Sequence, residues 1–340
     1  MYKLEELCQR EDLKSAEAAD YFSAILQGKL SDVEMSALLI ALKSKGESTS
    51  EILGAIQAMR EVALPFPLLA ALKAEHSLVD CVGTGGDNQH SLNISTPSAI
   101  MAAALGLTVA KHGNRAVSSL CGTADLLEGV GVNIAMTPEV ARETLVETGF
   151  TFLFSPIYHP AMQTIKAVRS QLKTRTIFNL IGPLLNPTLP DTLLVGVYHP
   201  SLCMRFAQVL QSQGTRRALV VHGQGLDEIA LHGPTTGALL VNDEIYPFSL
   251  TPEEVGLNRF ELGCLKGQDL NFNRQHFLDL LQGNGTPAYR SAVALNTGVL
   301  LWLTEKVPSI AQGVKQTLCA LKTDVGFQCL QHVKEVSHAK

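Results

Sequence analysis

The sequence predicts an α/β fold: a small N-terminal all-helical domain, then a large α/β domain with a mainly parallel central sheet flanked by helices. Three observations carry this. Residues 1–72 place their apolar side chains at helical spacing only. From Leu78 onward short β-type runs alternate with helical stretches, the order that parallel strands joined by crossover helices require. The first of those runs ends in Gly83-Thr84-Gly85-Gly86-Asp87, and a hydroxyl-rich helix start follows at Asn93-Ile94-Ser95-Thr96.

In chain order, Ser31-Asp32-Val33-Glu34 has the form of a capping box, and Met35, Leu38, Leu39 and Leu42 follow on one helical face until Gly46 stops the helix. Ser48 to Glu51 repeats the device, Ile52, Ile56 and Met59 supply the next stripe, and Pro65 and Pro67 end the run. These stripes read as core or interface. Strands are then expected at 78–82, 107–111, 151–155, 176–180, 193–198 and 217–222, with helices at 97–105, 123–129, 138–148, 160–172 and 201–213 between most of them. Residues 239–250 read as a hairpin or edge strands, and three helices (272–282, 287–304 and 308–321) close the chain. The expected domains are 1–72 and 77–340.

Composition sets limits. With 340 residues, 46% hydrophobic and 17% charged, the chain can bury a sizeable core. A formal net charge of −5 without a Lys/Arg block argues against a nucleic-acid partner and leaves small molecules. The seven cysteines are widely spaced with no C-x-x-C pair, which disfavours a disulfide framework or a zinc site. The N-terminus lacks an apolar signal core and no apolar run is long enough to span a membrane, so cytoplasm is the expected compartment.

The glycine loop is a phosphate cradle in outline. Glycines let an anion approach the main chain, and with Thr96 as N-cap and Pro97 at the first helical position the orphan donors of the next helix would face the same space. A second loop, 109–128, follows a short apolar strand and crowds Lys111, His112, Asn114, Arg115, Ser118 and Ser119 together; in a parallel sheet it opens on the same edge. Asp227 and Glu228 form an adjacent carboxylate pair after an apolar strand, and hard oxygen ligands of this kind suit Mg²⁺.

The motifs GTGGD (83–87), NIST (93–96), KHGNRAVSS (111–119), GFTFLFSPIYHPAM (149–162), RTIFNLIGPLLNP (175–187) and HGQGLDEI (222–229) stand in an order that resembles the anthranilate phosphoribosyltransferase family of tryptophan biosynthesis, a group of pentosyltransferases. The likeness runs from the first helices past Glu228 and more loosely to the C-terminus. It implies a helical domain, with the helices near 157–187 packed into it, hinged to an α/β domain. It also implies transfer of the phosphoribosyl group of 5-phosphoribosyl-1-pyrophosphate (PRPP) to the amine of anthranilate, giving pyrophosphate and N-(5′-phosphoribosyl)anthranilate. PRPP then falls to Gly83, Gly86, Asp87, Ser91, Asn93, Ser95, Thr96, Lys111, Asn114, Ser118, Ser119 and Thr123. Anthranilate, between the domains, falls to Gly83, His112, Asn114, His159, Met162 and Arg169, with Met162 and Arg169 two turns apart on one helix face. Ser95, Asp227 and Glu228 are implied as the ligands of Mg²⁺, a pair of ions per monomer, and a homodimer through the helical domain is implied too. No residue is an essential general base, because the arylamine is neutral at pH 7; His112 is a late proton acceptor.

The chain departs from the family pattern in three places. Asn88 stands where Gly follows GTGGD, and Asn also adopts positive φ. Leu120 and Cys121 replace a lysine and a serine, while Thr123 keeps a hydroxyl. Two alternatives remain at this stage: a pyrimidine nucleoside phosphorylase of the same fold, against which the Asp227-Glu228 pair speaks, and a non-catalytic nucleic-acid-binding relative, against which the missing basic face speaks.

Overall fold

The computed structural model describes residues 4–116 and 121–339 and divides them into two compact units, residues 1–65 with 155–187 and residues 66–154 with 188–340.

In the first unit the expected caps form. Ser31 Oγ accepts the Glu34 N–H at 3.3 Å while Glu34 takes the Ser31 N–H at 2.8 Å, and Ser48 and Glu51 repeat the exchange at 3.3 and 2.8 Å. They start the helices Asp32–Lys45 and Thr49–Glu61, whose predicted stripes are buried. Each such Leu, Ile or Met contributes about 1.5–3 kcal/mol by leaving water. Glu51 is fully buried and does more than cap: it also accepts the Leu13 N–H at 3.0 Å and pairs with Lys45 at 2.9 Å. Phe22, on helix Ser15–Leu26, meets Phe178 edge-on at 5.5 Å. The strand expected at 176–180 is instead the short helix Ile177–Leu180, because the Asn179 side chain caps the Thr176 N–H at 3.0 Å and turns the chain.

The second unit is built on a seven-stranded sheet: β1 (Leu78–Gly83), β2 (Thr108–Gly113), β3 (Phe150–Phe154), β4 (Thr192–Gly196), β5 (Arg217–His222), β6 (Thr235–Val241) and β7 (Glu244–Leu250), in the order 3-2-1-4-5-6-7. The first five run parallel; β6 and β7 form an antiparallel hairpin, with Asn242 and Asp243 at positive φ in its turn. Helices Ser95–Ala104, Pro138–Thr148, Leu202–Ser212 and Pro287–Leu303 bury apolar faces in this unit. Four helices close the chain rather than three: Leu270–Leu281, Pro287–Leu303, Ile310–Ala320 and Val325–Ser337. The last was not expected; it packs Gly326 close to helix Ser95–Ala104, where a Cβ would stand 2.5 Å from Met101 Sδ. Among the described residues no helix is long and apolar enough to cross a membrane.

Candidate active site

The strand order places the functional edge. From β1 the chain steps outward to β2 and β3, and from β4 it steps the other way to β5, so right-handed crossovers send the helices after β1 and β4 to opposite faces. A crevice opens beyond the ends of two such strands. Gly83 and Gly196 are register partners at that point. A Cβ on Gly196 would lie 1.6 Å from the Asp227 carbonyl oxygen, which leaves no room for a side chain, and one on Gly83 would lie 2.4 Å from Asp227 Oδ2 and push that carboxylate aside. The segment after β5 therefore folds back over the ends of β1 and β4 and sets Asp227 on the switch point.

The glycine loop meets it there. The Gly85 N–H donates to Asp227 Oδ2 at 2.6 Å, and the Asp87 carboxyl bonds the same side chain. Gly85, Gly86 and Asn88 all have positive φ, so the asparagine serves where the family uses glycine. Helix Ser95–Ala104 begins earlier than expected. Thr96 is its second residue, not its N-cap, and Pro97 its third, which is still a position whose N–H has no partner inside the helix. The Ser95 N–H, one of those orphan donors, goes to Glu228. A carboxylate at a helix N-terminus is favoured by the helix dipole as well.

Lys111, the last residue of the strand expected at 107–111, and His112, expected in the turn beyond it, both belong to β2. They are inside the strand, paired with Phe152 and Leu153 of β3, and both are buried. The Lys111 ammonium reaches under the crevice to the Cys81 carbonyl and, at 3.2 Å, to Ser95 Oγ. One buried cation thus stands beside three carboxylates. Burial, and then the charge of Asp87, lifts Asp227 to about 7; burial, and then Asp227, lifts Glu228 to about 8 despite Lys111. This excess of negative charge fits a divalent cation. Among the described residues no three His, Cys, Asp or Glu side chains form a ready cage, but Mg²⁺ does not need one: a carboxylate or two, with water and phosphate, suffice.

The other expected PRPP residues that the structure describes are held by contacts of their own. Thr96 Oγ1 donates to Thr123 Oγ1 at 3.2 Å, tying together the first turns of helices Ser95–Ala104 and Thr123–Gly129. Asn93 donates to the Cys121 carbonyl at 3.4 Å and its own carbonyl accepts the Tyr289 hydroxyl at 2.6 Å. Ser91 pairs through its backbone with Lys266. Asn114 accepts the Ala124 N–H through its carbonyl at 3.3 Å, which fixes the start of helix Thr123–Gly129. Ser118 and Ser119, with Leu120, lie outside the described residues. Arg115 is turned to acids of the next helix: it binds Glu128 through two nitrogens at 2.7 and 3.0 Å and Asp125 at 3.0 Å.

In the helical unit His159 is buried with Nε2 2.9 Å from the Leu185 carbonyl, and burial lowers its pKa. Met162 and Arg169 are not on one continuous α-helix. Pro160–Ile165 is a 3₁₀ segment and Lys166–Leu172 an α-helix, so the face shared at α-helical spacing is broken between them. Arg169 is half-buried and, among the described residues, meets no carboxylate. Sequence reasoning missed Gly196, a lone glycine after an apolar run, and Tyr289, which looks like any core aromatic.

The model of the Glycosyl transferase family a/b domain matches residues 75–324, and that of its helical bundle domain matches residues 3–63. An anthranilate phosphoribosyltransferase of Pseudoalteromonas translucida is 46% identical over 98% of this chain and 93% of its own length, and one from Idiomarina loihiensis is 42% identical over 100% and 98%. The crystal structure of the Thermus thermophilus enzyme superposes with a TM-score of 0.90 at 39% identity, covering 100% of both chains. A Saccharomyces cerevisiae anthranilate phosphoribosyltransferase in complex with PRPP and Mg superposes at 0.86 with 25% identity over 98% and 96%. With both domains matched and relatives this similar along its full length, the chain belongs to the anthranilate phosphoribosyltransferase family.

Proposed function

We propose that this chain performs the reaction of its family, transfer of the phosphoribosyl group from PRPP to anthranilate in tryptophan biosynthesis, with the glycine loop and the Asp227-Glu228 segment as the pyrophosphate and metal site. The observation that carries it is the convergence of Asp227, Glu228, the Gly85 N–H and Ser95 at the switch point.

Asp227, Glu228 and the Ser95 hydroxyl are the groups that would hold Mg²⁺, as a pair of ions per monomer. When bound, magnesium neutralises charge growing on the departing pyrophosphate. The chain does the rest. The glycine loop, from Gly83 through Gly86 and Asp87, with Ser91, Asn93, Thr96 and Thr123, positions the pyrophosphate and ribose with backbone and hydroxyl donors. Asn114, Ser118 and Ser119 belong to the same set. Lys111, held rigid by Cys81 and Ser95, supplies positive charge without a deprotonation step. Arg169 binds the anthranilate carboxylate, with Gly83, His112, Asn114, His159 and Met162 around the ring. The amine attacks as a neutral nucleophile, and the proton leaves late, to His112.

A homodimer in the cytoplasm completes the reading. Helix Asp32–Lys45 buries Met35, Leu38, Leu39 and Leu42, yet Val33 on its other side is 78% exposed and Ile40, two turns on, is exposed too. A helix apolar on both sides suits a second copy of the chain. The decisive assay mixes enzyme, PRPP, Mg²⁺ and anthranilate and follows anthranilate fluorescence; its persistence in the complete mixture would refute the assignment.

A further inference from the structure

The turn that delivers the two carboxylates has an imidazole at its root. His222 ends β5, and its Nδ1 lies 2.9 Å from the Val197 carbonyl. A carbonyl can only accept, so Nδ1 carries the proton, and Nε2 is left with the lone pair that accepts the Gly225 N–H at 3.0 Å. The neutral Nδ1–H form satisfies both contacts. The other neutral tautomer satisfies neither, and the imidazolium only the first.

Those two contacts span the site's foundation. Val197 follows Gly196 on the strand end where Asp227 rests, and its N–H donates to Val221 at 2.8 Å. Gly225 is the tip of a two-residue turn: Gly223 and Leu226 exchange backbone bonds of 2.9 and 3.1 Å, with Gln224 and Gly225 at φ +48° and +101° between them. A non-glycine residue in the left-handed region needs support from its surroundings. His232 gives some, its Nε2 standing 3.0 Å from the Gln224 carbonyl. Beyond the turn the chain goes directly into Leu226, Asp227 and Glu228.

We propose that His222, as its neutral Nδ1–H tautomer, is a positioning residue that locks the Gly223–Leu226 turn to the end of β4 and so presents Asp227 and Glu228 to the metal. It rests on the reading of these two carboxylates as magnesium ligands. It belongs with the outer partners that orient metal ligands, whose loss typically weakens metal binding about 10–100-fold.

Two measurements test it. Long-range ¹H–¹⁵N correlation on the labelled wild-type protein, with the His222 signals identified by their loss in His222→Gln, is expected to show the Nδ1–H tautomer; the Nε2–H tautomer overturns the proposal. Electron spin resonance then follows Mn²⁺ binding to the enzyme–PRPP complex. His222→Leu, which can neither donate nor accept, is expected to bind Mn²⁺ about tenfold more weakly, and His222→Gln, whose amide does both, to recover to within about threefold. The anthranilate KM should stay within about twofold in both. A folded His222→Leu protein with wild-type Mn²⁺ affinity overturns the proposal. The Asp227→Asn, Glu228→Gln protein is the control: if it too binds Mn²⁺ like wild type, the metal reading fails, whereas if it loses binding and His222→Leu does not, only the role of His222 falls.

Discussion

Each unit holds one set of charges that is satisfied and one that is not. In the α/β unit Arg115 is bonded to Glu128 and Asp125 and lies over the Phe154 ring at 5.7 Å, while Asp125 also accepts the Ala116 and Gly122 N–H groups. In the helical unit Lys45 joins Asp12 and the buried Glu51. Against these stand Asp87, Asp227 and Glu228, crowded at the end of β1, and Arg169, half-buried with no acidic partner among the described residues. The paired groups hold loops in place. Three carboxylates sharing one lysine, and an arginine with no acid beside it, are a cost to the folded chain and make sense where a ligand of opposite charge arrives.

Neutralising the acidic cluster should break this contrast most severely. Asp227→Asn with Glu228→Gln is expected to lower kcat by about two orders of magnitude and to weaken its dependence on magnesium, with anthranilate binding nearly unchanged. A magnesium titration of initial rates at saturating PRPP measures this, and an unchanged midpoint would remove both residues from the site. A thermal melt of the metal-free double mutant should show no loss of stability, because the crowding is relieved. Next in size, Arg169→Ala should raise the anthranilate KM about tenfold, with much less effect on the PRPP KM; equal damage to both would make Arg169 a phosphate ligand.

The same crowding gives a pH dependence. Asp227 and Glu228 titrate at about 7 and about 8 in the folded protein, above their ordinary 3.8 and 4.5. The folded chain therefore holds protons that the unfolded chain has already released, and this contribution is complete below about pH 4 and lost as pH rises through the folded values. The Tm of the metal-free protein should fall by about 2–5 °C between pH 6 and 9, less so in the double mutant. A flat profile in wild type would mean that the carboxylates are better hydrated than their surroundings imply. The smallest effect belongs to the satisfied set: Arg115→Ala removes exposed pairs only, so a loss under about 1 kcal/mol by denaturant melt and a kcat within about threefold of wild type are expected. A larger kcat loss would turn Arg115 from a brace into part of the anion site.

What could be read from the sequence follows the range of the interactions. GTGGD, the capping boxes and most helix and strand positions are local matters of glycine, cap and periodicity, and they stand where expected. The extension of β2 beyond Lys111 through His112 is not local: His112 enters the strand because Leu153 of β3 pairs with it, and Lys111 can be buried there because Ser95 and Cys81 receive the ammonium. The helix at Ile177–Leu180 goes the other way, since a β-rich run is overruled by one asparagine cap. Asp227 lies 142 residues from Gly85, so nothing near either residue announces their bond. Only the missing side chains of Gly83 and Gly196 record it, and an absent Cβ in a sequence looks the same for a turn as for a close approach.

The sheet ends on one side in β7, whose one strand partner among the described residues is β6. Pro247 stands within that strand opposite Ala238, exposed. A residue with no N–H fits a ladder only where its nitrogen points away from the partner strand, so on β7 the missing donor belongs to the outer rim. Any foreign strand aligned there would find a gap in the row of hydrogen bonds and a pyrrolidine ring in its way. Tyr246 beside it is 47% exposed, an apolar surface that a bare edge would offer to chance association. The proline is thus a guard against edge-to-edge polymerisation, stationed far along the chain from the chemistry that the strand ends serve.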